Sequence, residues 1–156
     1  MSKIQKANSY IKRVLTKEGI PFEEQISPQN PRIVAYMFSL GKNIEEFWNF
    51  VVSYDDKSDA LILMTKSISD IKGIPEYDIL QWINESNTAI PNGCFVYEKE
   101  EQMLYLHQKL DAFVLENTAE WNASENELYA GESILIKSIL SMFHTIQREE
   151  ESIAVI

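Results

Sequence analysis

The sequence predicts an α+β fold: an antiparallel sheet of five to six strands with elements in the order α-β-β-β-β-α-β-β-α, and helices packed on the sheet. Three observations carry this expectation. Apolar runs at 32–40, 46–54 and 60–66 are separated by turn-forming clusters too short for crossover connections, so neighbouring strands must pair antiparallel. The two ends of the chain carry apolar residues at helical spacing. Between them, residues 75–110 read as a short amphipathic helix, a turn and two strands in tandem.

Taken in order, Ser2 and Gln5 have the spacing of a capping box. Ile4, Ala7, Ile11, Val14 and Leu15 then form one stripe until Gly19 and Pro21 stop the helix. Lys3, Lys6, Arg13 and Lys17 share a neighbouring face, a basic row set either against the acidic body, against an acidic partner or simply in solvent. Residues 22–26 can add an edge strand, and the Ser27-Pro28-Gln29-Asn30-Pro31 cluster ends it. In the three-strand meander that follows, both faces are apolar. Tyr36, Phe38, Trp48, Phe50 and Tyr54 lie on one side, with Ile33, Ala35, Met37, Phe47 and Val51 on the other. Such a sheet needs two covers.

The stretch 75–110 opens with Pro75, tolerated in a first turn, and with Glu76 and Asp78 near the positive end of the helix dipole. Ile79, Leu80 and Ile83 are expected to face the sheet, with Trp82 at the rim. Asn84 and Asn87 close the helix with side chains able to satisfy the turn that follows, and Pro91-Asn92-Gly93 reverses the chain. Residues 94–97 and 103–110 flank the polar Glu98-Lys99-Glu100-Glu101 connection as a hairpin. This run, with its Asn84-Glu85-Ser86-Asn87 helix end and the hairpin after it, resembles the YbjN-like domain of bacterial proteins. The fold of that domain is similar to the type III secretion chaperone fold. The resemblance implies a single domain over residues 1–156 that works by binding another polypeptide, and it also allows a homodimer.

Beyond the hairpin, 111–115 reads as strand or helix and 116–130, with a lone Trp121, as a long loop or broken helix. A final helix from Gly131 places Leu135, Ile139, Met142 and Ile146 on one stripe and Lys137, Ser141, His144, Thr145 and Arg148 away from it. Glu149-Glu150-Glu151 opposes the dipole and predicts fraying.

Composition narrows the function. A chain of 156 residues with 45% hydrophobic and 24% charged residues can bury a core without staples. The net charge of −10 disfavours nucleic acid and anionic membrane, leaving protein partners. Cys94 is the only cysteine and is read as a small core residue, and no apolar run is long enough for a membrane span, so a soluble cytoplasmic protein is expected. The five glycines stand too far apart for a phosphate loop, and no Gly-x-Ser-x-Gly turn is present. His107 and His144 have no second histidine or carboxylate at ligand spacing, and the acidic turn around Asp55, Asp56 and Asp59 lacks calcium-loop spacing. No enzyme, cofactor or metal is predicted. The expected work is chaperone-like or regulatory protein binding through Tyr36, Trp48, Phe50 and Trp82. The alternative is an acidic immunity-type or inhibitor protein that blocks a basic surface.

Overall fold

A computed structural model of the chain describes residues 2–66, 70–90, 92–124 and 133–153. Helix α1 (Lys3–Lys17) starts on the expected capping box: Gln5 N–H donates to Ser2 Oγ at 3.2 Å, and Ser2 N–H donates to Gln5 Oε1 at 2.9 Å. Strands β1 (Glu23–Ile26), β2 (Val34–Gly41), β3 (Phe47–Asp55) and β4 (Ala60–Lys66) follow, then helix α2 (Glu76–Ala89) and strands β5 (Cys94–Glu98) and β6 (Met103–Asp111). All pairings are antiparallel, and the six strands lie in the order β1-β2-β3-β4-β6-β5. This is the predicted α+β layout, with two short helices inserted after β6: α3 (Ala112–Glu116) and α4 (Ala119–Asn122). Helix α5 (Ile134–Ile153) closes the chain.

The helices collect on one side of the sheet. Ile4, Tyr10, Ile11 and Leu15 of α1, Ile79 and Trp82 of α2, and Leu135, Ile139, Met142 and Ile146 of α5 share one core with Tyr36, Phe38, Trp48, Phe50, Leu61, Leu63, Phe95, Leu104 and Leu106. Every strand residue in that group has the same alternation parity, so the core is a single layer between sheet and helices. Helix α2 therefore shares the face of α1 and α5 and does not serve as the second cover. Its orientation also differs from the expected one: Ile79, Trp82 and Ser86 face inward, whereas Leu80 is half exposed. A Trp buries more apolar area than a Leu, and the turn of the helix that brings Trp82 onto Phe95 carries Leu80 outward.

The segment after the hairpin is structured. Asp111 caps α3 by accepting from Phe113 N–H at 2.8 Å, and Thr118 caps α4 by accepting from Trp121 N–H at 3.3 Å. Trp121 is a core residue, packed 5.0 Å from the Tyr10 ring. The rest of that stretch, 125–132, lies outside the described residues, as do 67–69 and the tail 154–156. In α5 the Glu149-Glu150-Glu151 run remains helical, correcting the predicted fraying, and Thr145 is buried where an outward position is expected. The end is held by side chains: Ser86 Oγ donates to Glu149 Oε2 at 3.4 Å, and Trp82 Nε1 donates to Ser152 Oγ at 3.1 Å.

Two members of the basic row of α1, Lys3 and Arg13, together with neighbouring Lys12, pair within the protein's own body. Lys3 Nζ lies 2.7 Å from Asp59 and 3.1 Å from Glu116, and Lys12 Nζ lies 3.0 Å from Glu24. The Arg13 guanidinium donates to the carbonyls of Glu120 and Ala123, tying α4 to α1.

Candidate functional site

The four residues expected to meet a partner are all inside. Phe50 is 0%, Tyr36 1%, Trp48 5% and Trp82 7% exposed, so none presents a surface in the folded chain. Phe50 stacks on Phe38 at 5.4 Å, Trp48 meets Phe143 of α5 edge-on at 5.6 Å, and Trp82 meets Phe95 edge-on at 4.8 Å. Tyr36 packs edge-on against Phe22, and burial together with nearby Glu24 pushes its phenol up to about 12. The correction has a physical reason. Both faces of β2 and β3 are apolar, but the aromatic parity offers more area, and the helices settle on the face where their burial removes most apolar surface from water.

That choice leaves the opposite parity uncovered. Among the described residues no helix packs on the face formed by Ala35, Met37, Val51, Ile62, Met64, Val96 and Tyr105, and these side chains are part-exposed or, for Val96, exposed. The register aligns a row straight across the sheet: Glu23 opposite Met37, Met37 opposite Val51, Val51 opposite Met64, Met64 opposite His107, and His107 opposite Cys94. Ile62 stands between Ser53 and Lys109, and Tyr105 between Lys66 and Val96. The centre of the face is thus apolar with a few small polar groups. Toward its margins, Glu23, Asp55, Glu98 and Asp111 outnumber Lys66 and Lys109. Cys94, read from sequence as a core residue, stands on this open face, half-buried.

At one side the face runs into a cleft of about 630 Å³, lined by Phe22, Glu23, Met37, Ser39, Asn49 and Val51 among others. It exists because β1 is short: its first pair is Glu23 with Met37, so the end of β2 extends past it. The opposite edge is closed. Asn87 at the end of α2 accepts from Phe95 N–H at 2.7 Å and donates to Phe95 C=O at 3.2 Å, taking both backbone groups that Phe95 turns outward from the edge strand β5. The turn before β5 is as specific. Gly93 has φ +83°, and a Cβ there would stand 2.5 Å from the His107 carbonyl oxygen.

A second groove, about 540 Å³, lies between α1 and the β1–β2 edge; part of its polar lining pairs within the chain, while Asn8 Oδ1 is buried without a hydrogen-bond partner among the described residues. Lys12 and Glu24 face each other across it, and Asn8 Nδ2 donates to Arg32 C=O at 3.0 Å. Of the two imidazoles, His144 is exposed on α5, whereas His107 is half-buried on the open face. Burial, then the charge of Lys109, lowers the His107 pKa below the ordinary imidazole value. Among the described residues no three His, Cys, Asp or Glu side chains group as metal ligands, and no helix is long and apolar enough to cross a membrane.

Both apolar faces are legible in the sequence, but the residues expected to make contact lie on the face that the helices bury. The signal that separates them is side-chain size: one parity carries most of the large aromatics, the other mainly Ala, Met, Val, Ile and Ser, with Phe47 and Tyr105 as exceptions. No protein-family model matches the chain, and no curated protein or solved structure matches it.

Proposed function

We propose that this chain is a non-enzymatic, protein-binding protein of chaperone-like or regulatory type. Its open sheet face receives an apolar polypeptide segment flanked by basic residues. The observation that supports this most is the uncovered row Met37–Val51–Met64 with Ile62 and Val96 beside it, in a sheet whose other face already carries all the described long helices. Charge selects the occupant. The margin of the face is net acidic and the whole chain carries −10, which attracts a cationic segment and opposes a second copy of the chain. A YbjN-like, secretion-chaperone-like identity in the bacterial cytoplasm fits this reading, and homodimerisation through the same face is its less favoured form.

The test uses a synthetic amphipathic Leu/Lys helix as probe, with Val51→Glu and Ile62→Glu as variants. An added carboxylate strengthens purely electrostatic attraction to a cationic peptide but spoils an apolar seat. The expected result is binding by the parent chain that persists at about 0.5 M salt, where exposed charges are largely screened, and that is lost in both variants. Light scattering on the parent chain reports self-association in the same samples. Binding that collapses with salt and survives both substitutions would overturn this reading in favour of the acidic inhibitor, which the net charge alone supports.

A further inference from the structure

We propose that Met64, His107 and Cys94 form a site for a soft monovalent metal ion, copper(I), on the open face of the sheet. His107 on β6 is directly opposite Met64 on β4 and directly opposite Cys94 on β5. Directly opposed residues of antiparallel strands hold their Cβ atoms about 4.5–5.5 Å apart. Strand alternation sends all three side chains to the same side, away from the helices. The imidazole thus stands between a thiol and a thioether, each one strand away.

The donor set chooses the ion. Thiolate and thioether sulfurs with an imidazole nitrogen are soft ligands that favour copper(I), whereas magnesium and calcium require oxygen donors. Structural zinc takes four donors from Cys, His and carboxylate, and among the described residues no group of even three such side chains occurs. A two- or three-coordinate ion has no such demand. Reach is unequal but sufficient. The cysteine sulfur is short and fixed, and methionine, with three rotatable bonds, swings its sulfur toward the imidazole.

His107 is prepared for ligation. Among the described residues its side chain makes no hydrogen bond that would compete for a ring nitrogen, and the ring is half-buried on the face that carries the other two donors. Lys109, two residues along the same strand face, would repel an added cation. The balance of the reaction removes that objection: the metal–sulfur bond forms as the Cys94 S–H bond breaks and its proton passes to solvent, so the site gains no net charge. Val51 beyond Met64 and Tyr105 alongside supply partly buried walls that weaken competition from water.

The site shares a face with the proposed partner surface, but its test needs no partner. The full chain is titrated with silver(I) in chloride-free buffer, and with copper(I) against a bicinchoninate competitor. One equivalent is expected to bind, shifting the Met64 methyl and His107 imidazole NMR signals together in the unmodified protein. Met64→Leu and His107→Gln, with unchanged circular dichroism, should each weaken binding by about tenfold or more, at least the loss seen for outer-shell partners of metal sites. Cys94→Ser should abolish it. Silver bound with unmoved Met64 and His107 signals, or with parent affinity in both variants, would show a bare thiol and overturn the site.

Discussion

Lys3 and Asp59 meet at 2.7 Å although 56 positions separate them in the chain. The same Asp59 carboxylate accepts a short hydrogen bond from the Tyr54 hydroxyl, and its backbone carbonyl accepts from Ala112 N–H at 3.1 Å. One turn residue therefore joins the start of α1, the β3–β4 hairpin and the start of α3. Its backbone is left-handed, with φ 50°, a region that Asp and Asn tolerate better than most residues.

Asp59→Asn keeps that backbone conformation and removes the charge, so it isolates the ion pair. The Lys3 and Tyr54 hydrogen bonds hold the Asp59 carboxyl below the ordinary carboxylate range. The folded value is depressed, so the stabilisation is present above the unfolded pKa and lost as pH falls through the folded one. Lys3 is raised by Asp59 and Glu116, and Tyr54 is raised to about 12 by burial and Asp59, so their contributions fade at the alkaline end. Because the Lys3 and Asp59 side chains are more than a third exposed, solvent screening limits the expected loss at pH 7 to about 0.2–1 kcal/mol. Thermal melts across pH should show a flatter acid limb for Asp59→Asn than for the parent. Asp59→Ala should cost roughly 1 kcal/mol more, because alanine is strained at positive φ.

Phe50 is fully enclosed and stacked on Phe38. Phe50→Ala is expected to destabilise the chain by about 3–5 kcal/mol through lost transfer energy and a residual cavity. Urea unfolding followed by tryptophan fluorescence should show the midpoint falling with little change in slope. Loss of binding in such a variant would track the fraction unfolded, unlike the effect of Val51→Glu on the open face.

Asn87→Ala leaves the Phe95 N–H and C=O without their side-chain partners. The expected cost is about 1–3 kcal/mol for a part-buried pair of orphaned groups. Hydrogen exchange should read it locally: Phe95 N–H loses protection while amides in β3 and β4 keep theirs. Asn87→Asp, which keeps an acceptor for the N–H but offers no donor to the C=O, should fall between the two.

Much of this architecture was legible because it is written in local periodicity. Alternation marked β2, β3, β4 and β6 to within two residues at each end, and the Ser2–Gln5 box marked the first residue of α1. Trp121 was illegible for the converse reason. Its neighbours Asn117, Thr118 and Asn122 read as a long loop or broken helix, and only the approach of Tyr10, more than a hundred residues earlier, makes a core position of it. The same holds for the candidate site. Tyr36, Trp48, Phe50 and Trp82 looked like contact residues because size and hydrophobicity mark a residue as sticky without saying what it adheres to.

The order of elements, the antiparallel pairing and the two-sided apolar character of the sheet were determined by the sequence alone, since short turns and a period of two leave a strand few alternatives. Which side the helices took was decided by the tertiary structure. The faces compete for one set of helices, and that competition is settled by total area removed from water over the whole domain, a sum that no local window contains. The outcome buries Trp48 and Phe50 and sets Met37, Val51, Met64, His107 and Cys94 in a row on the other side. Neighbours in that row lie between 13 and 43 positions apart in sequence, and only strand pairing brings them together.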